Sequence, residues 1–104
     1  ELESALHKAI ERGELVLHYQ PKIDVRSARM IGAEALMRWR RGDKLVAPGD
    51  FIPLAEETGL IVPMSEWAIR EAARQAGVWQ REHGIETSIA VNLPTKLYER
   101  DDLV

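Results

Sequence analysis

Leu2, Leu6, Ala9 and Ile10 recur at helical spacing, which predicts an amphipathic helix over residues 2–12 that Gly13 stops. From residue 15 the period shortens to two. Leu15, Leu17 and Tyr19 fall on one face of a strand over residues 15–20, and Pro21 demotes its far end to an edge or a terminus. Residues 24–28 are a polar turn, and residues 30–39 read as a second strand. Residues 40–49 form a charged loop punctuated by Gly and Pro. Asp50 is placed to cap a short helix carrying Phe51, Leu54 and Ala55, which Gly59 closes. A long helix is predicted over residues 63–83, with Pro63 in its first turn and Gly84 as its stop. Its stripe of Met64, Trp67, Ala68, Ala72, Ala76 and Trp79 is a core-facing stripe rather than an aromatic binding surface. Residues 87–93 are rich in β-branched side chains and read as a third strand, and residues 94–104 begin another helix.

The predicted order is helix, strand, strand, helix, helix, strand, helix. A helical connection between the last two strands suits a right-handed crossover between parallel neighbours. The fold class is therefore α/β. Parallel strands want helices on their faces and further sheet beside them, so the chain reads as the opening of an α/β barrel or open sheet. A closed (β/α)8 barrel takes about 250 residues, more than twice this length.

Composition removes other classes. The 104 residues are 45% hydrophobic and 30% charged, with seven Gly, five Pro and no Cys. Collagen-like, low-complexity and disulfide-scaffold chains do not look like this. No apolar run reaches the roughly 18 residues of a membrane span. A net charge of −3 gives no reason to expect nucleic-acid binding.

The second strand carries the strongest chemical signal. Period two puts Glu34, Leu36 and Arg38 on one face and leaves the other, from Ile31 to Trp39, wholly apolar. Burying a carboxylate costs several kcal/mol (roughly) unless a cation, a metal or good hydrogen bonds compensate it. Glu34 and Arg38 lie about 13 Å apart along a strand, too far for a tight direct pair. On the third strand Asn92 shares a face with Ser88 and Ala90, at the C-terminal end where parallel sheets gather ligands. Glu34 and Asn92 are oxygen donors suited to Mg²⁺ or Mn²⁺. The planar fork of Arg38 suits a phosphate oxygen, and Gln20 offers an amide to the same rim. These residues alone allow either a metal-plus-phosphate site or a strand-end ion network that satisfies its own members.

At Glu34-Ala35-Leu36, followed by Met37-Arg38-Trp39, the sequence resembles the EAL domain family of bacterial cyclic di-GMP phosphodiesterases. Tyr19-Gln20-Pro21 is similar to the family's first-strand motif. Residues 51–56 and 58–61 resemble its short helix and following turn, and Val91-Asn92-Leu93 its third-strand motif. The resemblance spans residues 1–104, read as the N-terminal part of a single EAL domain. It implies a TIM-like (β/α)8 barrel, incomplete here, whose first strand runs antiparallel to the rest. It further implies metal-dependent hydrolysis of cyclic di-GMP to linear pGpG. On that resemblance Glu34 and Asn92 are metal ligands for Mg²⁺ or Mn²⁺, Arg38 and Gln20 contact substrate, and Leu36 lines its base or ribose pocket. Neither metal ligand is the general base. Pro94 and Thr95 depart from the small residue the family places after Asn-Leu. The family's later acids, lysine and glutamine are not in this sequence, and Asp101-Asp102 is read as surface rather than as the family's aspartate pair.

Two other readings stand beside the hydrolase. A degenerate EAL domain would bind cyclic di-GMP without cutting it. A purely structural piece would self-associate through the open edge of its third strand, or as a homodimer. The expected partner is cyclic di-GMP, with no nucleic acid and no membrane insertion, in the bacterial cytoplasm. His7, His18 and His83 lack the spacing of a zinc site. Arg38, Arg40 and Arg41 around Trp39 are too few for nucleic-acid contact, and Glu56-Glu57 is a solvated helix end. Lys44 receives no role.

Overall fold

The structure, a computed structural model, describes residues 2–91. Its elements in chain order are α1 (Leu2–Ala9), β1 (Leu15–Ile23), β2 (Met30–Arg41), β3 (Lys44–Val46), α2 (Pro48–Thr58), α3 (Ile61–His83) and β4 (Ile89–Val91). β1 and β2 form a long antiparallel hairpin. β3 continues it antiparallel on the other edge of β2, and β4 runs parallel to β2 at Ala33–Ala35. The class is α/β, as the element order predicts, and the first strand is antiparallel to β2, as the family resemblance implies.

The helices cover one face of this sheet. Ala33, Ala35 and Trp39 of β2 are buried there, as are Leu15 of β1 and Met64, Ala68 and Ala72 of α3. Trp39 is fully buried and meets Phe51 of α2 edge-to-face at 6.0 Å. Leu6 and Ala9 of α1 complete the cluster from the side. Met64, Ala68 and Ala72, recurring at helical spacing, put the apolar stripe of α3 in the core, and Trp67, Ala76 and Trp79 continue it half-buried.

Several boundaries differ from the sequence expectation. α1 ends at Ala9 rather than at residue 12. The Glu14 N–H bonds back to the Ala9 carbonyl at 2.9 Å, and Gly13 takes a left-handed φ of 68°. β1 runs through Pro21 to Ile23, because Pro21 sits on an edge strand where its missing donor breaks no ladder. The segment 40–49 is not one loop. Arg41-Gly42-Asp43-Lys44 is a two-residue hairpin turn, with positive φ at Gly42 and β3 behind it. α2 is capped by Ala47, not Asp50: Pro48, with its preset φ, starts the helix three residues earlier and leaves Asp50 in the first turn. α3 starts at Ile61, so Pro63 lies inside its first turn, where the missing N–H has no partner to lose. Of the third predicted strand, Ile89–Val91 is formed; Asn92, Leu93 and residues 94–104 lie outside the described residues.

Candidate functional site

The face of the sheet turned away from the helices carries the polar residues. β1 contributes Val16, His18, Gln20 and Lys22, and the antiparallel register sets each against a partner on β2. Val16 faces Arg38, His18 faces Leu36, Gln20 faces Glu34 and Lys22 faces Gly32. Directly opposed residues have Cβ atoms roughly 4.5–5.5 Å apart, so Gln20 and Glu34 share one small volume. On the other side of Glu34 the parallel partner is Ala90, whose methyl leaves the carboxylate uncrowded. Glu34, Leu36 and Arg38 are all half-buried, while Gln20 is exposed.

Among the described residues, Glu34 has no ion-pair or hydrogen-bond partner for its side chain. The ion pair found there is Arg74–Glu71, on α3. Arg38 donates from Nη1 to the carbonyl of its neighbour Met37 at 2.9 Å, leaving most of its guanidinium donors available. The self-satisfied ion network considered from sequence is therefore not formed between Glu34 and Arg38. No group of three or more His, Cys, Asp or Glu residues able to hold a metal occurs among the described residues. Glu34 and Gln20 are the oxygen donors brought together, and their chemistry fits a hard divalent cation as part of a larger ligand set. Asn92, the second expected ligand, lies outside the described residues.

The end of β2 that carries Arg38 is held firmly. Glu14, just before β1, accepts the Trp39 indole N–H at 3.1 Å through Oε1, and its carbonyl accepts the Arg40 N–H at 2.8 Å. The perturbed titrating groups lie on the opposite, helix-covered side. Burial raises the pKa of Tyr19 and nearby Glu71 adds to the rise, with Arg74 opposing it. Tyr19 stacks edge-to-face on Trp79 at 5.0 Å beside an apolar cavity of about 180 Å³.

Period two in β2 thus located Glu34, Leu36 and Arg38 on one face from sequence. The same period in β1 also assigns His18 and Lys22 to that face, which the apolar alternation of Leu15, Leu17 and Tyr19 leaves unremarked. Arg40 continues the β2 series, and the hairpin to β3 keeps it in strand.

The EAL domain family profile matches residues 3–104. The chain is 47% identical over 100 residues to the bifunctional diguanylate cyclase/cyclic di-GMP phosphodiesterase MucR of Pseudomonas aeruginosa, covering 95% of this chain and 15% of MucR. It is 45% identical over 96 residues to the cyclic di-GMP phosphodiesterase PdeR of Escherichia coli, covering 91% of this chain and 14% of PdeR. The solved structure of the PaMucR phosphodiesterase in complex with c-di-GMP superposes with a TM-score of 0.90 at 46% identity. That match covers 98% of this chain and 42% of the solved one. The chain therefore spans about one-seventh of the length of these curated relatives. With the motif blocks, the strand order and both kinds of likeness in agreement, the chain belongs to the EAL domain family.

Proposed function

We propose that the protein containing this chain is a cyclic di-GMP phosphodiesterase, which opens one phosphodiester bond of its substrate to give linear pGpG with the help of Mg²⁺ or Mn²⁺. The observation that carries this reading is the direct pairing of Gln20 with Glu34, with Leu36 and Arg38 following on the same face of β2. The names of MucR and PdeR, and the c-di-GMP complex of the former, support the substrate class.

In this reading Glu34 and Asn92 hold the metal, and Gln20 contacts substrate beside it. Leu36 lines the base or ribose pocket. Arg38 takes a phosphate oxygen through its planar fork, which a lysine could not match in geometry. A divalent ion bound there supplies Lewis acidity for an in-line displacement at phosphorus. Glu34 and Asn92 would be only part of the ligand set of such a site, so residues 1–104, read as the N-terminal part of one EAL domain, are not expected to turn over alone. The substrate, a bacterial intracellular messenger, assigns the protein to the cytoplasm.

The test is incubation of the full-length protein with cyclic di-GMP and Mg²⁺ or Mn²⁺, with products separated by chromatography. Metal-dependent appearance of pGpG, lost in Glu34→Gln, supports the hydrolase. Tight binding without turnover under either metal replaces it with a non-hydrolysing receptor, and absence of binding overturns both.

A further inference from the structure

The polar face of the sheet does not end at Arg38. Arg40 lies two residues further along β2, on the side of the strand that carries Glu34, Leu36 and Arg38, about 6.6 Å beyond Arg38 at strand spacing. Arg41 and Trp39 alternate to the other side, where the Arg41 guanidinium covers the Trp39 ring at 5.4 Å. Arg40 is exposed, no side-chain partner engages it among the described residues, and its backbone is pinned by the Glu14 carbonyl at 2.8 Å. Its partner across the hairpin is Leu45, which brings no charge to the face.

The charges on this face make the position consequential. Among the described residues Glu34 is the acid there, and Arg38 offsets its charge. Lys22 sits at the far end opposite Gly32, about 20 Å from Arg38 along the strands. Arg40 is therefore the charge that turns the Arg38 end of the face positive. Resting on the proposal that this face takes cyclic di-GMP, we infer that Arg40 is a rim residue that captures the anionic phosphates of the incoming dinucleotide and hands them to Arg38.

A rim cation acts mainly on the association rate and on salt dependence, whereas a buried contact acts mainly on dissociation. The hairpin supplies its own control. Lys44 is the register partner of Arg41, so it presents the same charge within the same turn on the opposite face. Stopped-flow binding of cyclic di-GMP to the full-length protein, with Arg40→Glu and Lys44→Glu beside it, makes the comparison at two salt concentrations. The expected result for Arg40→Glu is a loss of about tenfold in association rate at low salt, narrowing at high salt, with dissociation little changed. Lys44→Glu should track the unaltered protein. Equal association rates for Arg40→Glu and the unaltered protein, or equal losses in both variants, would overturn the role of Arg40 while leaving the proposed function standing. Failure of the unaltered protein to bind cyclic di-GMP would overturn that function and this inference together.

Discussion

The indole N–H of Trp39 donates to the Glu14 carboxylate at 3.1 Å, from a side chain with no exposure to solvent. Two residues 25 positions apart thereby tie the start of β1 to the end of β2, one step past Arg38. A buried donor left without its acceptor costs about 1–3 kcal/mol. Glu14→Ala should destabilise by that amount in denaturant unfolding, while Glu14→Gln, which keeps an acceptor oxygen, should recover most of it. Equal losses in both variants would assign the effect to charge rather than to the hydrogen bond.

Gly59 closes α2 with a φ of 82°, and no atom crowds the place a Cβ would take. The penalty for Gly59→Ala is then purely conformational, about 1–2 kcal/mol. Gly49 lies inside the first turn of α2 in equally open space without the left-handed φ. Gly49→Ala should therefore be neutral or stabilise by about 0.5–1 kcal/mol. Thermal unfolding of the two variants side by side separates the backbone effect from packing.

Tyr19 buries its hydroxyl without a hydrogen-bond partner among the described residues, and its pKa is raised, first by burial and then by Glu71. Because the folded form holds its proton more tightly, the unfolded chain ionises first, near pH 10. The stability linked to Tyr19 is thus complete below that pH and is lost as pH climbs through the higher folded value. Tyr19→Phe should be neutral or slightly stabilising at pH 7. Above pH 10 the variant should lose less stability than the unaltered protein. Parallel unfolding curves across that range would contradict the linkage.

The outer edge of β1, and the edge of β4 away from β2, pair with nothing among the described residues. Ile23 is 53% exposed and Ile31 63% exposed at the turn end of the hairpin. Unpaired backbone beside exposed β-branched residues invites strand addition. Residues 1–104 in isolation are expected to self-associate with rising concentration in sedimentation velocity. A single monomeric boundary throughout would show these edges to be adequately protected.

Much of the fold and of the candidate site is legible in the sequence, for definite physical reasons. The two faces of β2 follow from strict alternation through Glu34, Leu36 and Arg38, and a carboxylate in that series has few structural explanations. The left-handed stops at Gly13, Gly59 and Gly84 were equally plain, since each glycine follows a periodic apolar stretch. β3 escaped notice because three residues are too few to establish a period. Its signal was Gly42-Asp43, a two-residue turn pair with glycine first. The cap of α2 was misplaced because Asp50 is a good capping type, yet Pro48 at the first helical position is the stronger constraint. The pairing of Gln20 with Glu34 was beyond sequence reasoning, because register depends on how the whole hairpin aligns. A slip of one residue would have sent Gln20 to the other face.

Arg38 offers the sharpest test of the proposed chemistry. Among the described residues one of its donors is drawn back to the chain, at the Met37 carbonyl, so the remaining fork can grip a phosphate through two parallel hydrogen bonds. Arg38→Lys keeps the charge and removes that geometry. If the fork orients the phosphate for displacement, kcat/KM for cyclic di-GMP should fall about 10- to 100-fold, with kcat sharing in the loss. If Leu36 lines the substrate pocket as proposed, Leu36→Ala thins a wall contacted equally in ground and transition states and should raise KM while leaving kcat nearly unchanged. Steady-state kinetics on both variants of the full-length protein distinguish the roles. A lysine variant as active as the unaltered protein would reduce Arg38 to a point charge, and a Leu36 variant with a collapsed kcat would move that side chain from the pocket wall to the reacting centre.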